Sequence, residues 1–373
     1  MAAVLLVTLT AVGFANRGKI IDAQGAELTY EADGQTFHLA LSFESQGGAP
    51  FFGQPLFTVE VREDQVRGQM TSSRIFVDNG GSEDKKDEFL ALVDHYEVTT
   101  TPCDGITLLQ IDETFLPTNS NAAIEAIPSY HTEQLKEGEG DVIWTIYLKN
   151  GDTLRLRHTV KITRVPVVTL TENDYPMATV DDLNVLLDTL AHEADRKSVY
   201  ILQLPAVTYD GGLTMKNFCC DLVGSEGGTT FTGTVTIATR GIHPSNITNV
   251  RFMGDGTGIG LSASEGAFLH HCTFENWEIG AYGGLGSWVN ATGCTFRGNG
   301  VGLWLDNRGG ATCSGSYYGD SVYEDNGTAV RITAMPGTET LDFNNCVFRG
   351  NGVNVENAAG YAVDLSQIVT ADN

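Results

Sequence analysis

The residues best suited to contact a ligand lie in the second half of the chain, on the outer faces of predicted strands and in the loops beside them. Aromatic rings can stack on sugar rings, while amide and carboxyl groups can bind sugar hydroxyls. The candidate ligand-binding residues are Phe268, His270, Trp288, Asn290, Tyr317, Tyr318, Asp342, Asn344, Asp306 and Arg308. Their types indicate contact with a polysaccharide or another glycan. Packing and surface display without a ligand are the alternative.

Two adjacent histidines, His270 and His271, are the residues most easily mistaken for a metal or catalytic pair. Adjacent residues of a strand point to opposite faces, so both rings cannot face one substrate or one ion. One histidine is expected at the surface and the other in a turn or in the core. No metal site is predicted from this pair.

A repeat of 22 to 27 residues must position the candidate residues. Its aromatic anchors are Phe252, Phe274, Phe296, Tyr323 and Phe348. Two residues before an anchor stand Cys272, Cys294, Ser321 and Cys346, and three residues after an anchor stand Asp255, Trp277, Asn299, Asn326 and Asn351. A repeat of this length with constant columns predicts a solenoid of stacked coils over about residues 200–365.

The physical chemistry of stacking explains these columns. Strands about 4.8 Å apart place equivalent side chains over one another. The cysteines are predicted to be buried free thiols, because stacked neighbours rarely meet disulfide geometry. The asparagines are predicted to occupy a tight turn with left-handed backbone and to form a hydrogen-bonded ladder. Trp277, which stands in the asparagine column, and Trp304 are expected to have structural roles.

The pattern x-C-x-F-x-x-N-G-x-G resembles the right-handed parallel β-helix of the pectate-lyase-like superfamily, over less than half of the chain. The resemblance implies three strands per coil, with the asparagine turn between the second and third strands. It also implies that a long variable turn precedes the first strand of the next coil. Enzymes of the superfamily commonly hold their substrate along that turn and first strand.

The same superfamily includes hydrolases and lyases, but their motifs are not recognisable in this chain. Hydrolysis needs carboxyl groups to protonate the leaving oxygen and to activate water, and the Asn-Thr-Asp, Asp-Asp and Gly-His-Gly motifs of polygalacturonases are absent from the predicted coils. Lyase chemistry needs an Arg or Lys base and carboxylates for Ca²⁺. No cofactor is predicted, and Ca²⁺ would be expected only if the protein were a lyase.

Three functions remain open from the sequence. The first is a secreted or surface-displayed binding or adhesion protein that contacts carbohydrate. The second is a polysaccharide lyase or glycoside hydrolase of the pectate-lyase-like superfamily. The third is a structural stalk or fibre, whose function would depend on its oligomeric state. The sequence leaves that state open.

The chain is predicted to be all-β and divided into four segments. Residues 1–18 form an apolar, signal-like segment, and residues 19–165 form an immunoglobulin-like β-sandwich. Residues 166–198 form a linker and a capping helix, and residues 199–373 form the β-helix. Thr179 is expected to cap this helix at its N-terminus, and the apolar face of the helix is expected to cover the first coil.

The composition constrains partners and location. There are 47 acidic and 22 basic residues, for a net charge of −25, which disfavours nucleic acid and anionic membrane surfaces. The apolar N-terminus indicates export to the extracellular space or the cell surface. Beyond a possible anchor at that end, no membrane partner is expected.

Overall fold

The fold was analysed on a computed structural model. It describes residues 18–43, 53, 55–64, 73–78, 85–101, 107–115, 122–131, 137–193, 197–239, 244–284, 287, 289–308, 318–335 and 340–370. The predicted signal-like segment lies outside these residues, apart from Gly18. The chain divides into two compact units between Val165 and Pro166. In the described part of the chain, no helix combines the length and the apolar character that a membrane span requires.

The N-terminal unit consists of two β-sheets. Its strands are β1 Ile20–Asp22, β2 Glu27–Ala32, β3 Gln35–Phe43, β4 Leu56–Arg62, β5 Ser73–Val77, β6 Val93–Thr100, β7 Thr107–Phe115, β8 Ala122–His131, β9 Gly138–Leu148 and β10 Thr153–Val165, with helix α1 Lys86–Leu92 between β5 and β6. One sheet has the antiparallel order β2-β3-β5-β8-β7. In the other, β6, β9 and β10 are antiparallel, while β1 and β4 both pair in parallel with β10.

The two sheets of the N-terminal unit share one apolar core that contains Phe37, Ile75 and Trp144. A buried polar contact also joins them, because Trp144 on β9 donates from Nε1 to Ser73 Oγ on β5 at 2.8 Å. The same hydroxyl lies 2.7 Å from His158 Nε2 on β10. Two sheets around one shared core are the arrangement that the alternating strands predict for a β-sandwich.

The C-terminal unit is built from three parallel sheets, here called the first, second and third sheets. The first contains β11 Val167–Leu170, β12 Val199–Gln203, β15 Asp221–Val223, β18 Ser245–Thr248, β21 Ala267–His270 and β24 Val289–Thr292. The second contains β13 Thr208–Tyr209, β16 Thr229–Phe231, β19 Val250–Met253, β22 Thr273–Glu275, β25 Thr295–Arg297, β27 Val322–Glu324, β30 Val347–Arg349 and β33 Val369–Thr370. The third contains β14 Leu213–Met215, β17 Val235–Ile237, β20 Ile259–Ala263, β23 Ile279–Gly284, β26 Val301–Asp306, β28 Thr328–Ala334 and β31 Val353–Asn357.

Successive coils visit the three sheets in the same order, and strands pair in parallel with their counterparts in the next coil, as β21 does with β24, β22 with β25 and β23 with β26. A further parallel pair, β29 Leu341–Asp342 with β32 Val363–Asp364, forms its own two-stranded sheet. This winding is a parallel β-helix. The variable turns join the third sheet to the first sheet, as predicted.

Helix α2, Val180–Glu193, precedes the first complete coil. Thr179 and Asp182 cap it reciprocally, since the Asp182 N–H donates to Thr179 Oγ1 at 3.1 Å and the Thr179 N–H donates to Asp182 Oδ2 at 2.9 Å. Leu183 and Leu187 of the helix are buried in the same core as Leu213 of the first coil. The predicted capping role is confirmed. The stretch before the helix also contributes β11, which pairs with β12.

The aromatic column forms a continuous stack through the solenoid. Seven rings lie at centroid separations of 4.7, 6.1, 4.5, 5.0, 5.0 and 4.8 Å in the order Tyr209, Phe231, Phe252, Phe274, Phe296, Tyr323 and Phe348. The repeat therefore begins two coils earlier than the sequence anchors indicate. The cysteine column is also buried, with free thiols at Cys272, Cys294 and Cys346.

The asparagine ladder is confirmed, but its backbone geometry was wrongly assigned. Asn299 N–H and Nδ2 both donate to Asn326 Oδ1 at 3.0 Å, and Asn326 donates in the same way to Asn351. The left-handed residue is the one before each asparagine, namely Gly298 (φ 64), Asp325 (φ 54) and Gly350 (φ 65). This offset arises because the turn residue faces solvent, whereas the ladder asparagine must point inward to reach its neighbours.

Candidate functional site

The first sheet carries part of the predicted ligand-binding set on its outer face. Phe268 and His270 are half-buried on β21, and their rings stack at 6.4 Å. Asn290 lies beside Phe268 on the adjacent strand β24 and is 2% exposed. The structure therefore brings these three residues together, as strand alternation predicts. Asn290 is nevertheless buried, so the prediction that it contacts a ligand is wrong.

The adjacent histidines are separated as expected. His271 is exposed in the turn after β21 with a left-handed φ of 53°, whereas His270 stays on the outer face of the strand. Burial lowers the pKa of His270, the nearby His271 adds to this effect, and the negative charge of Asp221 opposes it.

Asp342 and Asn344 are partly exposed and lie further along the solenoid. Asp342 is the last residue of β29, which pairs with β32. The Asn344 carbonyl accepts the Asp320 N–H at 2.9 Å. The pair therefore belongs to later coils than Phe268 and His270.

The prediction that Tyr318 contacts a ligand is wrong. Its side chain is fully buried and stacks on Phe343 at 5.2 Å. Gly319 and the left-handed residue Asp320 form the turn that follows it. Tyr318 therefore occupies the inward position directly before a turn. Trp288 and Tyr317, the other predicted stacking residues, lie outside the described residues.

Asp306 and Arg308 belong to a different surface, at the end of strand β26 in the third sheet. Asp306 is 7% exposed, and its carboxylate accepts hydrogen bonds from Thr333 Oγ1 at 2.6 Å, Arg308 Nε at 3.0 Å and Tyr282 Oη at 3.1 Å. Burial alone would raise the pKa of the Asp306 carboxyl, but the bonds from Thr333, Arg308 and Tyr282 outweigh burial and lower it.

Trp304, which was expected to be structural, lies on the outer face of β26 next to this carboxylate. Its indole Nε1 donates to Thr333 Oγ1 at 2.9 Å. The Tyr282 ring meets it edge-on at 5.4 Å, and the Arg331 guanidinium carbon lies 5.1 Å from its centroid. We call Tyr282, Trp304, Asp306, Arg308, Arg331 and Thr333 the Asp306 cluster.

Two local features of the chain shape the Asp306 cluster. A β-bulge between β26 and β28 pairs Leu305 with Ile332 and Asp306 with Ala334, which leaves Thr333 as the extra residue that bonds both Asp306 and Trp304. On the adjacent coil, a Cβ at Gly284 would lie 2.6 Å from the Tyr282 ring. Glycine at this position therefore allows the ring to lie against the strand and reach Asp306.

Sequence reasoning missed Tyr282, Arg331 and Thr333, and it placed Trp304 in a structural role. The available signal was the alternation of β26, which puts Trp304 and Asp306 on the same face. The Asp306 cluster lies on the third sheet, whereas Phe268, His270 and Asn290 lie on the first sheet.

Trp277, by contrast, has the structural position expected of it. It is 5% exposed, and its backbone N–H donates to Asn299 Oδ1 at 3.0 Å, so it starts the asparagine ladder. Within the described residues, no group of three or more His, Cys, Asp or Glu side chains is arranged to hold a metal ion.

Residues 223–368 match a family model described as the right handed beta helix region. Together with the stacked parallel sheets, this match makes the C-terminal unit a right-handed parallel β-helix. Comparisons with curated proteins and with solved structures gave no match.

Proposed function

We propose that the protein is exported to the cell surface or beyond and that its β-helix binds carbohydrate as a recognition or adhesion module. One observation carries this proposal: the half-buried ring of Tyr282 lies against Gly284 and is fixed through its hydroxyl by Asp306. An aromatic ring held flat on a rigid strand is suited to stacking on a sugar ring. The low charge content and the apolar N-terminus support export.

The polar members of the Asp306 cluster are suited to binding hydroxyl groups. Asp306 holds Arg308 through Nε, and 68% of the Arg308 side chain remains exposed. Its remaining N–H groups can therefore donate to sugar oxygens beside Tyr282. Phe268 and His270 form a second candidate surface, on the first sheet.

The charge state of Asp306 argues against a role as the general acid of a glycosidase. A glycosidase acid needs a raised pKa so that it holds a proton at neutral pH. The three donors around Asp306 lower its pKa instead, so the carboxylate stays ionised and acts as an anchor for its neighbours. Cleavage by a lyase or hydrolase remains the alternative function, and the same experiment addresses it.

The test is a glycan array probed with the full chain, followed by calorimetry on each bound oligosaccharide. Tyr282→Ala should weaken binding about tenfold, since it removes the stacking surface. Tyr147→Ala is the matched control, because Tyr147 is a half-buried tyrosine of the N-terminal unit whose hydroxyl also bonds a carboxylate, that of Glu97. The control should bind like the wild type.

The outcomes separate the alternatives. Absence of any bound glycan would refute the proposal. Binding that survives Tyr282→Ala but is lost in Phe268→Ala would place the site on the first sheet. Release of unsaturated or reducing ends from a bound oligosaccharide would assign the lyase or hydrolase function instead.

A further inference from the structure

The second sheet presents a row of alternating charges along the solenoid. On four successive strands the outward residue at the same register is Glu275, Arg297, Glu324 and Arg349. Glu324 accepts Arg297 Nε and Arg349 Nε, each at 2.8 Å. We call these four residues the charged ladder.

The charged ladder stays accessible although its members pair within the chain. The side chains of Arg297 and Arg349 are 47% and 45% exposed, and that of Glu324 is 19% exposed. Glu275 is half-buried and, within the described residues, forms no ion pair. The ladder therefore retains charge that an opposing surface can meet.

Beside the charged ladder runs a column of β-branched residues. Thr273, Thr295, Val322 and Val347 stand at equivalent register on the same four strands, two residues before the charged ones. All four side chains are partly exposed. Short β-branched side chains on a regular sheet make a surface that another sheet can approach closely.

From this arrangement we infer that the second sheet associates face to face with the second sheet of another copy of this chain, with the solenoids antiparallel. The order Glu-Arg-Glu-Arg becomes Arg-Glu-Arg-Glu when it is reversed. A two-fold axis between Arg297 and Glu324 therefore sets Arg297 opposite the partner's Glu324 and Glu275 opposite the partner's Arg349. All four contacts across the interface join opposite charges.

A parallel arrangement gives the opposite result. When copies align at equal height, as in a fibre with all solenoids pointing the same way, Glu275 meets the partner's Glu275 and Arg297 meets the partner's Arg297. Like charges directly opposite each other destabilise an interface. The charged ladder therefore selects an antiparallel pair over a parallel bundle.

The expected association is weak. With the two-fold axis between β25 and β27, the six strands from β19 to β33 overlap with those of the partner. Six strands of about three residues, spaced about 4.8 Å apart, cover roughly 300 Å² per copy. A stable interface buries about 800 Å² per partner, so this smaller one should have a dissociation constant on the order of 100 μM at about 150 mM salt. Each copy carries a net charge of −25, and this salt screens the long-range repulsion between copies while the short-range contacts of the charged ladder persist.

Charge reversal provides the test, using the full chain in sedimentation experiments. Arg297→Glu alone should lose association at least tenfold, because the carboxylate introduced at this position then meets the partner's Glu324. Glu324→Arg alone should lose it equally. A mixture of the two variants should associate like the wild type, because every contact across the mixed pair again joins opposite charges. Arg155→Glu, at an exposed arginine of the N-terminal unit, is the control and should leave association unchanged.

Several sedimentation results would refute the antiparallel association. A wild-type chain that stays monomeric at about 1 mM and about 150 mM salt would overturn the inference, and so would a trimer. Failure of the mixed variants to associate, with each variant folded by circular dichroism, would also overturn it. If a variant does not fold, Arg297→Gln, which removes the charge without reversing it, should still weaken association, and unchanged association would overturn the inference. The inference is independent of carbohydrate binding.

Discussion

The asparagine ladder makes a quantitative prediction about the stability of the β-helix. Asn326 is 2% exposed, and its side chain makes four hydrogen bonds: Nδ2 donates to Phe296 O and Asn351 Oδ1, while Oδ1 accepts from Asn299 N–H and Asn299 Nδ2. Replacement by leucine keeps the number and branching of the side-chain heavy atoms and removes all four bonds. The Asn299 N–H and the Phe296 carbonyl are then buried without these partners.

The expected cost follows from those two stranded backbone groups. Each buried group that loses its partner costs about 1–3 kcal/mol, so Asn326→Leu should lower the free energy of unfolding by about 4 kcal/mol. Asn351→Leu is the matched control at the other end of the ladder. Asn351 is half-buried, so water can replace part of its contacts, and the cost should be about half as large.

The assay is urea unfolding of the full chain combined with hydrogen exchange read by mass spectrometry. Exchange resolves the two units, whose unfolding need not be a single transition. The amide of Asn299 should lose protection in Asn326→Leu before the surrounding coil does. A loss below about 1 kcal/mol, or equal losses for Asn326→Leu and Asn351→Leu, would refute the assignment of stability to buried ladder bonds.

Two further predictions concern single side chains. The Tyr323 hydroxyl is buried and makes no hydrogen bond within the described residues, so Tyr323→Phe should raise the midpoint of urea unfolding by an amount equivalent to about 1 kcal/mol. An unchanged or lower midpoint would mean that the hydroxyl has a favourable contact. The pKa of Asp306 is lowered in the folded chain, so the unfolded chain binds that proton first as the pH falls from about 5 to 3. The stabilisation by the ionised Asp306 carboxylate is complete above that pH range and is lost on acidification. Asp306→Asn should therefore show a shallower pH dependence of the unfolding free energy than the wild type, and an equally steep profile would contradict this.

The inward columns could be predicted from the sequence because stacking imposes them. Each inward side chain meets its counterpart in the next coil, so Phe274 over Phe252 requires one size and one polarity at a constant spacing. That constraint is visible in a single sequence. A stacked core also has an apolar end that must be covered, which is why the capping helix could be predicted from the sequence.

The candidate site could be predicted only in part, because outward positions carry no such repeat. The Asp306 cluster depends on a bulge that turns Thr333 toward Asp306 and on a glycine that admits Tyr282, and both are single events in irregular coils. Tyr318 was assigned to the site because its ring suits stacking on a sugar and because it lies beside Tyr317 in the sequence. Its ring is instead fully buried against Phe343, which the residue type alone does not predict.

The stacked aromatic column has a consequence for how this protein can change over evolutionary time. Each coil contacts its neighbours through the same ring, thiol and amide positions, so the cross-section of the solenoid is fixed while the number of coils is not. Duplication of the 22 residues from Phe274 to Thr295 would add a coil whose columns continue those on both sides. Length is therefore the dimension along which such a chain can vary most freely, and each added coil would lengthen its outer surfaces without redesign of its interior.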